Sequence, residues 1–121
     1  MNAEIDNPNA SPQDRPVRLG IIGLGAIAQI AHLPALASLG DRFKIRHLCD
    51  LSPMLLAAVS AKVPGQPRCS TRAEAVFADP EVDAVLILTP SAHGPETLAA
   101  VTAGKHVFAE KPLCITVAEL N

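Results

Sequence analysis

The sequence predicts an α/β fold with a doubly wound, mainly parallel sheet, and three observations lead to this prediction. Short apolar segments rich in valine, isoleucine and leucine alternate with segments of helical periodicity along most of the chain, which is typical of βαβ units. The chain is 49% hydrophobic but only 2% aromatic, so its core must be aliphatic, as in helices packed on a buried sheet. A glycine-rich turn follows the first apolar segment, where a strand of such a sheet passes into a helix.

Five strands and four helices are predicted, in alternating order and without an internal repeat. The strands cover residues 17–22, 43–49, 67–70, 82–88 and 105–109. The helices cover residues 26–39, 53–62, 73–77 and 95–103. Pro34 is expected to kink or interrupt the first helix, and Gly40 is expected to close it in the left-handed conformation. Ser52 and Pro53 supply an N-cap and a first turn for the second helix, and Gly104 closes the fourth.

Composition divides the chain into a polar tail and one domain. Residues 1–16 are rich in asparagine, proline and aspartate and carry too few apolar groups to offset the entropy of ordering the backbone, so a disordered tail is expected. Residues 17–121 are expected to form one domain around one core. The tail lacks the apolar stretch of a secretory signal, and no later segment is long enough to cross a bilayer. We therefore expect a cytoplasmic protein without membrane contact.

Charge and side-chain types exclude several classes of partner. The net charge of −2 and the near absence of aromatic residues argue against nucleic acid, which needs basic surfaces and stacking platforms. The three cysteines and four histidines share no spacing typical of metal or redox sites, so no metal is predicted and the cysteines are expected to be reduced. His32, on the first helix, is interpreted as a packing or capping residue.

A loop between the first strand and the first helix has the pattern GxGxxA, from Gly23 to Ala28; we call it the glycine loop. Gly23 is expected to make the tight turn, Gly25 to let the backbone approach a pyrophosphate, and Ala28 to let helix and strand pack closely. Ala26 and Ile27 begin the helix, whose N-terminal N–H groups favour an anion. The pattern alone is weak evidence, but its flanking strand and helix favour a dinucleotide site that includes Gly23, Gly25, Ala26 and Ile27.

Asp50 stands at the end of the second strand, 22 positions after Ala28. Dinucleotide-binding proteins carry an acid there that accepts hydrogen bonds from the adenosine ribose. The alternative is a surface turn residue or a cap for the second helix. Because no arginine follows within residues 51–54 to hold a 2′-phosphate, NAD is favoured over NADP as the cofactor.

Two further segments end strands at the same edge of the predicted sheet. Thr89 and Pro90 close the fourth strand, and are either cofactor contacts or a plain strand stop, since ligands of such sheets lie at the carboxyl ends of strands. Glu110 and Lys111 follow the fifth strand and are predicted to contact the cofactor. Lys111 can also polarise or protonate a carbonyl oxygen or bind a substrate hydroxyl, provided that its environment lowers its pKa. The alternative is an exposed ion pair before a proline. His93 either lines the cleft or belongs to a loop.

Together these segments resemble the N-terminal domain of the Gfo/Idh/MocA oxidoreductases, from residue 17 to the end of the chain. The segments that carry the resemblance are residues 18–25 (RLGIIGLG), 32–36 (HLPAL), Asp50, 89–90 (TP), 103–107 (AGKHV) and 110–113 (EKPL). Their combination is specific, although residues 89–93 are one residue shorter than the usual pattern. The resemblance implies an NAD(P)-dependent dehydrogenase of a sugar, inositol or related polyol, in which Lys111 matches the family's catalytic or substrate-binding lysine.

The resemblance also implies a longer, homo-oligomeric protein. Family members continue into a final strand and a C-terminal domain that supplies subunit contacts and substrate residues, so this chain is expected to be a truncated part of such a protein. Alone it is expected to bind the cofactor weakly or not at all and to be inactive, because the nicotinamide would face solvent. A non-catalytic dinucleotide-binding or sensor module is the alternative function. A methyltransferase built on the same kind of sheet is a third possible function, but it is disfavoured because it would give Lys111 no role.

Overall fold

The computed structural model describes residues 15–89 and 94–110. Its centre is a five-stranded sheet in the order β3-β2-β1-β4-β5, and each neighbouring pair is parallel. The strands are β1 (Val17–Ile22), β2 (Phe43–Cys49), β3 (Arg68–Ser70), β4 (Ala84–Ile87) and β5 (His106–Ala109). This order, in which β1 neighbours both β2 and β4, confirms the predicted doubly wound parallel sheet.

Helical segments join consecutive strands and cover both faces of the sheet. They are a π-helical segment (Ala28–His32), α1 (Leu33–Ser38), α2 (Pro53–Ser60), α3 (Ala73–Phe77) and α4 (Gly94–Thr102). One core cluster packs β1 and β2 against α1 and α2 and includes Ile21. A second packs the sheet against α3 and includes Ile22. Because adjacent residues of a strand face opposite sides, β1 is buried on both faces.

The segment after the glycine loop departs from a regular helix. The N–H of Leu33 donates to the carbonyl of Ala28, five residues back, which widens the turn. The next residue, Pro34, has no N–H to donate and its ring clashes with a regular preceding turn. The predicted interruption at Pro34 therefore takes the form of a π-helical segment before α1.

The prediction for Gly40 is wrong, because its backbone is not left-handed. Helix α1 ends instead at Ser38, and the carbonyl of the next residue, Leu39, accepts the N–H groups of Arg42 at 2.8 Å and Phe43 at 3.1 Å. These two hydrogen bonds satisfy the Leu39 carbonyl after the helix without a glycine in the left-handed region. Gly104, by contrast, has a φ of +84° and closes α4 as predicted.

Other element ends agree with the sequence to within a few residues. The hydroxyl of Ser52 accepts the N–H of Leu55 at 3.2 Å and Pro53 begins α2, which confirms the predicted N-cap. Strand β4 is shorter than residues 82–88, because the N–H of Val82 belongs to a turn and donates to the carbonyl of Asp79. Strands β3 and β5 each begin one residue later than predicted.

Two polar contacts join the strands to the region that precedes β4. His47 of β2 is buried, with Nδ1 2.8 Å from Oδ2 of Asp79 and Nε2 2.9 Å from the hydroxyl of Ser70. The Arg18 guanidinium donates to both carboxylate oxygens of Asp83, at 2.9 and 3.1 Å, and the Arg18 backbone N–H donates to the same group at 3.0 Å. These contacts fix the segment before β4 to β1 and β2.

We searched the described part of the chain for membrane-spanning helices, groups of metal ligands and reactive thiols. No helix there combines the length and the apolar character that a membrane span requires, and no three histidine, cysteine or acidic side chains there are grouped as metal ligands. Cys49 is buried, Cys69 is exposed, and both are free thiols. Burial raises the pKa of the Cys49 thiol, which keeps it protonated and unreactive.

Candidate functional site

The glycine loop leaves β1 at Gly23, whose backbone has a φ of +95°. A Cβ at this position would lie 2.7 Å from the backbone nitrogen of Thr89 and 2.8 Å from the carbonyl carbon of Leu88. The N–H of Gly23 also donates to the carbonyl of Cys49 at 2.8 Å. Gly23 therefore makes the predicted tight turn, packed so closely on the end of β4 that a side chain does not fit.

Gly25 has the opposite surroundings. Within the described residues, no heavy atom lies within 4 Å of the place where its Cβ would be. Gly25, Ala26 and Ile27 are all exposed, whereas Ala28 is completely buried. The loop thus presents an open backbone at Gly25 and packs closely at Ala28, which is the arrangement that a phosphate-binding turn needs.

Asp50 lies directly beside the glycine loop. Its Oδ2 accepts the backbone N–H of Leu24 at 2.8 Å, and its Oδ1 accepts the backbone N–H of Ser52 at 2.9 Å. Each carboxylate oxygen can accept a second hydrogen bond, and the residue is half-buried. The two roles considered from sequence are therefore compatible, since Asp50 can brace the loop and still accept a ligand hydroxyl.

Two apolar side chains beside Asp50 had no role in the sequence interpretation. Leu51 is 88% exposed and Met54 is 85% exposed, just after β2 and in the first turn of α2. Neighbouring exposed apolar side chains at a ligand edge offer a surface on which a flat ring can pack. Their exposure comes from the turn between β2 and α2, which hydrophobic periodicity does not reveal.

Thr89 and Glu110 follow β4 and β5 at the same edge of the sheet as the glycine loop. Thr89 is half-buried, and its backbone nitrogen borders Gly23. The N–H of Glu110 donates to the carbonyl of Ile87 at 2.9 Å, so the strand pairing continues up to this residue. The other predicted site residues lie outside the described residues, and their roles stay predictions: Pro90, His93 and Lys111.

His32 makes a contact across the site that the sequence interpretation did not foresee. Its Nε2 lies 2.9 Å from Oε2 of Glu110, a residue 78 positions away in the chain. Its ring also forms an edge-to-face pair with the ring of Phe108, with centroids 5.7 Å apart and an interplanar angle of 64°. Because the partners are so distant in sequence, no local pattern could have indicated this contact.

The geometry agrees with what comparison with known proteins finds. Residues 17–121 match the Gfo/Idh/MocA family, described as an oxidoreductase family with an NAD-binding Rossmann fold. The chain is similar to an inositol 2-dehydrogenase of Pseudomonas fluorescens, with 36% identity over 104 residues, or 84% of this chain. It is also similar to a galactose 1-dehydrogenase of Pseudomonas fluorescens, with 34% identity over 85% of this chain. The chain spans only 30% and 31% of the length of these two relatives.

Two solved structures with a similar fold contain NADH or NAD(H). The WlbA dehydrogenase of Bordetella pertussis, in complex with NADH and UDP-GlcNAcA, superposes with a TM-score of 0.81 at 31% identity, over 90% of this chain and 32% of that one. The scyllo-inositol dehydrogenase of Lactobacillus casei, with NAD(H) and scyllo-inositol bound, gives 0.79 at 27% identity, over 88% of this chain and 31% of that one. This chain therefore belongs to the Gfo/Idh/MocA oxidoreductase family and carries its NAD-binding Rossmann fold.

Proposed function

We propose that this chain is the cofactor-binding part of a dehydrogenase that transfers hydride between NAD and a sugar, an inositol or a related polyol. The observation that carries the proposal is the open backbone at Gly25 beside the carboxylate of Asp50. Nothing in the described residues fills the space that a Cβ of Gly25 would occupy, so a pyrophosphate can approach the backbone there. The affinity of the chain alone is expected to be weak, because it spans about 30% of its relatives' length.

Asp50 and its neighbours are proposed to hold the adenosine half of the cofactor. The carboxylate would accept a ribose hydroxyl with the lone pairs that Leu24 and Ser52 leave available. The exposed side chains of Leu51 and Met54 offer an apolar surface to the adenine ring. A 2′-phosphate would be repelled by the negative charge of Asp50, and residues 51–54 contain no arginine to hold it, so NAD is preferred over NADP.

The chemistry is proposed to involve Lys111, the residue after Glu110. Bound NAD would supply the hydride acceptor, and Lys111, in its neutral form, would bind the substrate hydroxyl and take up its proton. The substrate class is supported by the relatives, two of which are named for inositol and galactose. The predicted contacts of Thr89, Pro90 and His93 with the cofactor belong to the same proposal, as do the cytoplasmic location, the homo-oligomeric state and the tail at residues 1–16.

A chimaera tests the proposal. Residues 17–121 replace the matching part of the Pseudomonas fluorescens inositol 2-dehydrogenase, which supplies the remainder of the protein, and NADH formation with inositol is measured at 340 nm, the NADH absorption band. We expect turnover by the chimaera, and loss of turnover with retained NADH binding in the Lys111→Ala variant. A folded chimaera that turns over equally well without Lys111 contradicts the proposed role of the lysine.

A non-catalytic sensor module is the second candidate, because the described residues that form the site bind rather than react. The same chimaera separates the two functions. A folded chimaera that binds NADH but gives no turnover with inositol supports the sensor. Turnover that depends on Lys111 supports the dehydrogenase.

A further inference from the structure

We infer that a pocket between α1 and α2 binds small amphipathic anions, namely carboxylates with an aliphatic chain. The pocket is lined mainly by α1, by the first three residues of β2 and by residues 59–64 at the end of α2; we call it the helix pocket. Its volume is about 400 Å³, which lies in the range of small-ligand cavities. All of its lining residues belong to the described part of the chain.

The helix pocket is separate from the proposed cofactor site. Phe43, Lys44 and Ile45 line the pocket at the start of β2, whereas Asp50 follows the last residue of that strand. The glycine loop follows the last residue of β1, which runs parallel to β2. The start of β2 therefore lies at the opposite edge of the sheet from Asp50 and the glycine loop. The inference is thus independent of the proposed function, and either one can fail without the other.

Partly buried aliphatic side chains form the walls of the pocket. Leu33 and Leu36 of α1, Ile45 of β2 and Val63 after α2 pack against the first core cluster without being fully buried. Helix α1 has six residues, which is fewer than two turns, so it covers only a short stretch of β2. An aliphatic chain in the pocket would remove these side chains from water, which favours binding.

Two lysines give the pocket a positive charge. Lys44 and Lys62 are the only charged residues that line it, and neither makes an ion pair within residues 15–89 and 94–110. The surrounding segment, residues 41–72, contains six of the ten basic residues of the chain but only two of its twelve acids, Asp41 and Asp50, and neither acid lines the pocket. This local excess of positive charge, in a chain with a net charge of −2, favours an anionic ligand.

The walls and the lysines together define the chemistry of the ligand. A carboxylate can accept charge-assisted hydrogen bonds from the ammonium groups of Lys44 and Lys62, while its aliphatic chain covers the walls. A sugar or a nucleotide would leave many polar groups without partners, because ten of the thirteen lining residues are apolar residues, glycine or proline. The pocket therefore suits an anion with one charged end and one apolar end.

Octanoate tests the inference in the full 121-residue chain, and 1-octanol is the uncharged control of equal chain length. Binding is followed by ¹³C NMR of the methyl groups of Leu33, Leu36 and Val63 in the pocket, and of Met54, an exposed apolar residue outside it. We expect the pocket signals to shift and saturate at millimolar octanoate while Met54 stays in place. Octanol should bind about fivefold more weakly, the upper end of what an exposed ion pair contributes. Hexanoate should bind about fifteenfold more weakly, because each buried methylene contributes about a fourfold factor.

Lysine variants test the charge of the pocket. The double variant Lys44→Gln, Lys62→Gln is expected to bind octanoate about fivefold more weakly than the wild type and to bind 1-octanol equally well. Arg72→Gln removes a positive charge from an exposed side chain that does not line the pocket. This control is expected to bind octanoate as the wild type does.

Tryptophan variants test the location of the site. Ala37 is an exposed residue of α1 that lines the pocket, so Ala37→Trp fills the pocket and is expected to abolish octanoate binding. Ala35 is exposed on the same helix but does not line the pocket. Ala35→Trp is therefore the matched control and should bind octanoate normally. If Ala37→Trp does not fold, as judged by circular dichroism, the lysine variants decide the outcome.

Several outcomes would overturn the inference. They are a folded wild type whose pocket signals do not move, equal affinities for octanoate and 1-octanol, and unchanged octanoate affinity in the double lysine variant. Octanoate binding that appears only after removal of residues 1–14, or only at concentrations at which sedimentation shows a monomer, would assign the pocket to the tail or to a second copy of the chain. Loss of octanoate binding in the chimaera would show that the remainder of the longer protein covers the pocket. Failure to bind NADH would leave the inference intact.

Discussion

Asp50 binds the glycine loop through Leu24, whose backbone N–H donates to the Asp50 carboxylate at 2.8 Å. The second oxygen of the same group accepts the N–H of Ser52 at 2.9 Å, at the start of α2. One side chain thereby joins the turn after β1 to the turn after β2. The loop is thus held in shape by the residue that is expected to bind the ribose, so loss of that residue affects both the fold and the ligand.

Asp50→Asn is expected to lower the free energy of unfolding by ~1–2 kcal/mol, because an amide has one acceptor oxygen and leaves either Leu24 or Ser52 without a partner. Urea unfolding followed by circular dichroism measures the change. Asp41→Asn, at an exposed residue of the turn after α1, is the matched control and should be neutral. A variant at Asp50 that is as stable as this control contradicts the bracing role.

The two glycines of the loop should respond in opposite ways to the same substitution. Gly23→Ala puts a Cβ 2.7 Å from the backbone of Thr89 at a φ of +95°, and is expected to cost at least ~1–3 kcal/mol of stability. Gly25→Ala meets no described atom within 4 Å and should unfold at the same urea concentration as the wild type. Comparable losses in the two variants would show that the loop has a different conformation.

Stability should fall in acid because of two carboxylates before β4. Burial opposes ionisation of Asp79, but hydrogen bonds from the Glu81 N–H and from His47, with the charge of Arg68, lower its pKa. The hydrogen bonds and charge of Arg18 likewise lower the pKa of Asp83, against its partial burial. Both carboxyl groups therefore have a lower pKa in the folded state than in the unfolded state, where it is about 4. Their contribution to stability is complete above the unfolded pKa and is lost as the pH falls through the folded pKa.

Urea midpoints measured at several pH values test this sign. The contribution of these two groups should be constant from about pH 7 to pH 5 and decrease below about pH 4. Asp79→Asn and Asp83→Asn should be less stable at neutral pH and should lose less stability in acid than the wild type. An unchanged acid dependence in both variants would assign the acid sensitivity to other groups.

Local chemistry explains why much of this fold could be predicted from sequence. Strands β1 and β2 begin and end at the predicted residues, because the β-branched and apolar residues of each segment stop there at Gly23 and Asp50. The Ser52 cap and the left-handed Gly104 were also correct, since each depends on a residue and its immediate neighbours.

Details of turn geometry and one contact between distant residues explain what the sequence did not reveal. Gly40 looks like a helix-closing glycine, but the carbonyl of Leu39 binds two following N–H groups and removes the need for a left-handed residue. The π-helical segment was expected only as an interruption at Pro34. The pairing of His32 with Glu110 depends on the position of β5 relative to the first helical segment, which tertiary packing determines.

An NADH titration of the ¹⁵N-labelled chain, followed by NMR, decides whether the glycine loop binds the cofactor. At millimolar NADH the amide signals of Leu24, Gly25 and Ala26 are expected to shift and to saturate, while those of α3 stay in place. Gly25→Val, which should fold because no described atom lies within 4 Å of a Cβ there, is expected to abolish the shifts. A Gly25→Val variant that binds NADH as well as the wild type, or wild-type shifts that appear in α3 and not in the glycine loop, would contradict the proposed cofactor site.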